Sequence, residues 1–390
     1  MKVSPRSKLV SRKMGLFAES AIRDMSQLAD RIGAVNLAQG SPDFSAPVSV
    51  KRAAALAIKE DYNQYEVTMG NQELREAIAE KVRRFNKIRT DADDGITITC
   101  GSTEAISAAM IALTDPGDRV IIPEPFYENY IPATILSGAR VVHFKLQEPG
   151  FRLAEEDLKA AFSERPKVIL LNTPNNPTGR VFSKKELSVV ADLCEDYDVI
   201  AIADEIYEHI VYDGNRHVSL ASIGDMHDRT VTVSGLSKTF SVTGWRIGYT
   251  VAGKEITTAI RTIHDYLTVC APTPLQRAAV TALGLPDSYY DDLVATYDKK
   301  RLFLLKSLEE LGFSCFRPEG AYYILADFGG ISKLDDFAFA NHLAQEVGVA
   351  VVPASSFYAN REAGGSKVRF TFTKKDATLK EAVRRMQKNL

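Results

Sequence analysis

The 390-residue sequence predicts an α/β protein: a large domain with a mainly parallel sheet flanked by helices, and a smaller α+β domain beside it. Three observations carry this. Short β-branched runs alternate with amphipathic helical patterns through the middle of the chain. Most of these runs are apolar on successive residues, as expected of strands covered on both faces. Near residue 286 the alternation gives way to a long charged helix and a different order of elements. The strand runs fall at 96–99, 119–123, 139–144, 167–172, 199–204 and 230–234. Among the helices between them, 183–198 places Leu187, Val190, Ala191 and Cys194 on one stripe, after a Ser183 cap with Glu186 three residues on. The later part reads as a helix over 287–312, a strand at 321–328, a helix near 334–347, a strand at 368–373 and a final helix. The organisation expected is a large cofactor domain over 48–285 and a small domain made from 1–47 with 286–390.

Composition removes whole classes of function. Forty-eight basic and 50 acidic residues leave a net charge of −2, which gives no global field for holding nucleic acid. No apolar run approaches the ~18 residues of a membrane span. The cysteines Cys100, Cys194, Cys270 and Cys315 show neither metal-ligand spacing nor a disulfide pattern, so no metal is expected and a reducing cytoplasm is the default. Five Lys/Arg among the first 13 residues precede any acid, without an apolar signal core. That stretch reads as a basic segment on the surface, with a transit peptide as the alternative. The six histidines look scattered and structural.

Parallel sheets bind ligands beyond the carboxyl ends of their strands, so those ends carry the functional reading. Strand 230–234 runs into Gly235-Leu236-Ser237-Lys238-Thr239-Phe240, with Arg246 eight residues past the lysine. Lys238 and Arg246 could be surface charges beside a glycine-rich turn. A desolvated lysine next to another cation is also a carbonyl-capturing amine, and the arginine and Ser237 would suit a phosphate. Strand 199–204 ends in Asp204, which is costly there unless a cation meets it, and Tyr207 follows three residues on. The loop Asn172–Gly179 holds Asn176 between prolines and reads otherwise as a plain turn. Gly101-Ser102-Thr103 opens a helix whose N-terminus favours phosphate, or is an ordinary cap. Tyr127 offers a ring for stacking, or a core aromatic. Together these are a reactive lysine, a ring-nitrogen carboxylate, ring-oxygen donors, a stacking aromatic and a phosphate cup. The set describes pyridoxal 5′-phosphate. No GxGxxG or GxxxxGK[ST] motif supports a nucleotide instead.

With Asn36–Phe44 (NLAQGSPDF), NNPTG, ADEIY and the motif at 235–248, the sequence resembles the class I/II aminotransferases of the fold-type I pyridoxal-phosphate enzymes over nearly its whole length. The resemblance implies that Lys238 bonds the cofactor and shuttles the proton. Asp204 would keep the ring nitrogen protonated, Asn176 and Tyr207 would bond the ring oxygen, and Tyr127 would stack on the ring. Ser102, Thr103, Ser237 and Arg246 would hold the phosphate. Tyr65 would reach the phosphate of a partner subunit, which implies a homodimer with shared sites. Arg369 would clamp the substrate carboxylate together with Gly40 and Asn176. Gly235 departs from relatives that carry serine there, leaving the cup one hydroxyl short. The expected reaction is transfer of an amino group from an L-amino acid to a 2-oxo acid, 2-oxoglutarate foremost. Leu16, Phe17, Tyr127 and Phe357 hint at an apolar or aromatic-tolerant pocket of the glutamine/kynurenine/methionine type. The alternatives are a C–S β-lyase, an aspartate-type aminotransferase and a non-catalytic regulator, for whose DNA-binding domain there is no room before Gly40.

Overall fold

The computed structural model describes residues 9–390. The basic N-terminal stretch begins outside them; from Leu9 to Leu16 the chain is exposed, with a 3₁₀ turn at Arg12–Leu16.

Seven strands form the large sheet: β1 Ile96–Thr99, β2 Arg119–Glu124, β3 Arg140–Lys145, β4 Val168–Asn172, β5 Ile200–Asp204, β6 Thr230–Gly235 and β7 Gly248–Val251. Their order is β1-β7-β6-β5-β4-β2-β3. Neighbours are parallel except where β7 runs against β6 and β1. All six predicted runs are strands. The seventh, β7, was not predicted: four residues at the end of the lysine motif give too short a run to register as a strand.

Both faces of this sheet are covered, and the side chains alternate accordingly. Ile169, Leu171, Ala201 and Ala203 join one apolar core, while Val168, Leu170 and Ile202 join the other. Helix α1 Ser102–Leu113 closes the second face with Ile106 and Met110. Helix α2 Lys184–Asp196 closes the first with Leu187, Val190 and Cys194. It begins in the expected capping box: the Ser183 hydroxyl accepts from the Glu186 N–H at 3.3 Å, and the Glu186 carboxylate accepts from the Ser183 N–H at 2.8 Å. Such a cap stabilises a helix by about 1 kcal/mol.

Past helix α3 Asp287–Glu310 lies a small antiparallel sheet of β8 Ser314–Cys315, β9 Tyr323–Asp327, β10 Val352–Pro353 and β11 Lys367–Thr371, ordered β10-β11-β9-β8. The predicted helix at 334–347 is an α-helix only over Asp336–His342 and then widens into a π turn at Leu343–Val347, which Gly348 ends at φ +81°. The start of the chain is stitched to this unit. Val35–Asn36 pairs in parallel with Val349–Ala350, and the Thr371 N–H donates to the Leu37 carbonyl at 2.9 Å. That seam brings Gly40 beside β9. The carboxyl ends of β1, β2, β4, β5 and β6 therefore share one edge, facing residues from both ends of the chain.

Candidate active site

Asp204 closes β5 and is buried. It accepts from the Tyr130 hydroxyl at 2.7 Å and the Ile206 N–H at 3.2 Å. Burial nevertheless pushes its carboxyl up to about 6. On the neighbouring strand, Asn172 clamps the next loop: its Nδ2 donates to the Asp204 carbonyl at 2.9 Å and its Oδ1 accepts from the Asn176 N–H at 2.7 Å. Asn176 is thereby turned so that its Oδ1 accepts from Arg369 at 2.8 Å.

Lys238 leaves the end of β6 half-buried, its Nζ 5.9 Å from the ring centroids of both Tyr207 and Tyr322. Burial holds its amine below the ordinary lysine value, Tyr323 counters this, and Arg246 adds to it. Across from it, Gly101 at φ +82° turns the chain from β1 into α1, presenting Ser102 and Thr103 in the first helical turn. The carboxylate of Glu104 reaches back to the Cys100 N–H at 2.5 Å and fixes that turn. Arg246, in the left-handed region at φ +56°, lays its guanidinium where a side chain on Gly101 would stand. Arg246 is exposed and, among the described residues, has no carboxylate partner. Ser237, next to Lys238 in sequence, is buried. The missing hydroxyl at Gly235 has a packing reason: a Cβ there would stand 2.8 Å from the Ile247 carbonyl oxygen and 2.9 Å from Gly248 Cα.

Arg369 is fully buried in β11. Besides Asn176 it donates to the Ala38 carbonyl at 2.7 Å, and among the described residues its Nε has no partner. A buried, unpaired guanidinium N–H is costly unless an acceptor arrives, which suits a substrate carboxylate. Gly40 is tied to this group through its carbonyl, which accepts from the Tyr322 hydroxyl at 2.8 Å. Tyr127 stands edge-on to Tyr130 at 5.5 Å. Of the residues suggested for an apolar pocket, Phe357 is buried against Arg369 and Leu16 is 66% exposed. Tyr65 is not drawn into the group; its ring is 83% exposed at the surface.

Sequence reading missed Tyr130, Tyr322, Tyr323 and Glu128. The Glu128 carboxylate accepts from the Ser20 hydroxyl; burial raises it, and Arg369 is among the cations that pull it back. It could have been flagged as an acid adjoining the proposed stacking tyrosine. The histidines are also less scattered than they look in sequence. His209 and His217 flank Phe85 beside Glu205 and Glu208. Glu205, Glu208 and His217 lie close enough together to resemble a metal triad, but the Lys81 ammonium already sits 2.5 Å from Glu208.

An acid that burial pushes to about 6 is one a pyridinium would stabilise as the carboxylate. An arginine at a helix N-terminus that meets only the Thr243 carbonyl, with no carboxylate among the described residues, suits a phosphate, and a desolvated amine suits a carbonyl. The residues present fit pyridoxal phosphate, and together with the fold they define a pyridoxal-phosphate enzyme of fold type I. Comparison with known proteins agrees. The family description aminotransferase class I and II matches residues 32–386. Escherichia coli methionine aminotransferase is 38% identical, covering 98% of each chain. The solved N-succinyldiaminopimelate aminotransferase of Mycobacterium tuberculosis superposes with a TM-score of 0.94 at 37% identity, covering 97% of this chain and 98% of that one. Human kynurenine–oxoglutarate transaminase 1 is 33% identical, over 93% of this chain and 94% of its own. The chain belongs to the class I and II aminotransferases.

Proposed function

We propose that the enzyme works by a ping-pong exchange in one site, taking the amino group from an L-amino acid with an apolar, aromatic or glutamine-like side chain and passing it to a 2-oxo acid, 2-oxoglutarate foremost. The observation that carries this reading is the combination of Lys238, with its lowered amine, and Arg369, whose Nε has no partner among the described residues, the first against the Tyr207 ring and the second against that of Tyr323. Bound pyridoxal phosphate supplies an electron sink for the bond broken at the substrate Cα. The protein does the rest. Arg369, oriented by Asn176, fixes the substrate carboxylate, and Gly40 approaches the same group with its backbone. Lys238, its amine held below the ordinary lysine value, would serve as the base that takes the substrate Cα proton. Asp204 stays ionised against the ring nitrogen, with Tyr130 holding the carboxylate in place. Asn176 and Tyr207 would hold the ring oxygen, and Tyr127 would stack on the ring. Ser102, Thr103, Ser237 and Arg246 receive the phosphate.

The exposed Tyr65 is read as serving the partner's phosphate in a homodimer with shared sites. Residues 48–285 are read as the large domain and 1–47 with 286–390 as the small one. The four free cysteines fit a cytoplasmic enzyme. Among the described residues, no helix is long and apolar enough to cross a membrane.

Glu128 weighs against the aspartate-type alternative, because a half-buried acid under the influence of Arg369 repels a second substrate carboxylate. The test is a half-reaction screen of the loaded enzyme with methionine, glutamine, kynurenine, aspartate and a cysteine conjugate, without any oxo acid. The proposal expects one oxo acid per site from the neutral donors and then arrest. Continuous release of pyruvate and ammonia from the cysteine conjugate would establish the β-lyase instead.

A further inference from the structure

Tyr323 touches both halves of the site. In the antiparallel pair of β9 and β11, Tyr323 stands opposite Thr371 and Leu325 opposite Arg369. Tyr323 and Arg369 are thus diagonal neighbours, and side chains two residues apart share a face of the sheet. The Arg369 guanidinium lies 4.2 Å from the Tyr323 ring centroid and 5.0 Å from that of Phe357. Among the described residues its guanidinium donates hydrogen bonds to Asn176 and Ala38 alone, so these two rings supply the remaining constraint on its plane.

The other end of the same side chain acts elsewhere. The Tyr323 hydroxyl meets the Tyr207 hydroxyl at 3.0 Å, and it fills the space a Cβ on residue 40 would occupy. Gly40 is therefore glycine for a steric reason at the heart of the site. After burial, Tyr323 is also the strongest electrostatic influence on the Lys238 amine.

We propose that Tyr323 is a positioning residue linking the substrate clamp to the cofactor-ring side of the site: its ring sets the plane of Arg369, and its hydroxyl donates to Tyr207. The inference rests on the roles proposed above for Arg369 and Tyr207. Two phenols at this distance form one hydrogen bond, and either can be its donor. If Tyr207 turns its own O–H toward the cofactor's ring oxygen, Tyr323 must be the donor to Tyr207. A hydroxyl that receives a hydrogen bond gives a stronger one, so the chain reinforces the contact to the ring oxygen.

The two ends are separable by substitution in the loaded enzyme. Tyr323→Phe keeps the ring and removes the donor. KM for the amino donor should stay within about twofold, because the cation–π contact survives. The pH midpoint of the bound cofactor's absorbance change should rise by roughly half a unit, since weaker bonding to the ring oxygen favours the protonated form. Tyr323→Leu removes both ends and should raise KM by about tenfold, in line with loss of a desolvated cation–π pair. Phe357→Leu should raise KM less and leave the midpoint where it was.

An unmoved midpoint in Tyr323→Phe would overturn the hydroxyl's role, and an unchanged KM in Tyr323→Leu would overturn the ring's. If Tyr323→Leu fails to fold, Phe357→Leu still reads the ring contacts and Tyr323→Phe the hydroxyl. Failure of the aminotransferase reading would look different: no amino acid would discharge the cofactor from the parent enzyme.

Discussion

The segment from Asp204 to Glu208 carries two sets of buried charge in very different states. Asp204 and Tyr207 join Lys238 at the strand ends. Glu205 and Glu208 join Lys81, Asn86, His217 and Ser234 in a second cluster. In that second cluster the charges are matched: Glu208 accepts from Lys81 at 2.5 Å, Ser234 at 2.6 Å and Asn86 at 2.7 Å, while His217 Nδ1 has no partner among the described residues. Although burial pushes the Glu208 carboxyl up, Lys81 and the neighbouring histidines pull it down to about 2. Glu205 accepts from Ser219 at 2.8 Å, His217 at 2.9 Å and Asn86 at 3.2 Å. The first cluster is left open, with Asp204 pushed up to about 6, the Lys238 amine pushed down and Arg369 Nε unpartnered. Charges that satisfy one another build structure, whereas charges left unsatisfied are arranged for a ligand. Ser234 and Glu208 join the two, since they tie the strand leading to Lys238 to the turn carrying Tyr207.

Substitutions on the two sides should separate accordingly. Lys238→Ala is expected to cut turnover by about 10⁴-fold while barely moving the unfolding midpoint of the apoprotein. Lys81→Met should do the reverse. It strands a buried glutamate, costs about 3–5 kcal/mol in denaturant unfolding and leaves the cofactor's pH midpoint unchanged. A lost midpoint in Lys81→Met would show that the second cluster is functional as well.

Asp204→Asn should lower turnover about a hundredfold. It should also remove a pH dependence whose sign is fixed. A carboxyl at about 6 in the folded apoprotein and roughly 3.9 in the unfolded chain contributes stability below pH ~4 that is lost as pH rises to about 6. The apo variant should therefore gain on the parent at neutral pH and lose that advantage near pH 4. Glu208 works in the opposite sense: its contribution is present above roughly pH 4.3 and is lost as pH falls toward about 2. The smallest effect expected is at Gly235. Installing serine there should destabilise by about 1–2 kcal/mol, because backbone atoms must shift, and should not tighten phosphate binding. Tighter binding with unchanged stability would contradict the packing argument.

The strand ends were legible in sequence because each motif is local: a buried strand followed within a few residues by Asp204, Asn176, Lys238 or Gly101. Contacts spanning the chain were not. Tyr130 meets Asp204 across 74 positions, and Tyr207 meets Tyr323 across 116. Nothing in AYYILADF distinguishes a site tyrosine from an ordinary strand aromatic, and β7 escaped because four residues carry almost no periodicity. The pairing of His209 with His217 required the loop geometry that folds both against Phe85. The fold was readable from alternation, while the supports of the site depend on pairings made only after folding.

The central claim is that Lys238, half-buried and left open at the strand ends, takes the cofactor, while the buried and partnered lysines do not. Reduction of the pyridoxal-phosphate-loaded protein with borohydride, followed by peptide mass mapping, tests it directly. The account predicts one pyridoxyl group per chain, on Lys238, with none on Lys81, Lys300 or Lys374. A label on any of those three at comparable yield, or a Lys238→Ala variant labelled as fully as the parent, would contradict it.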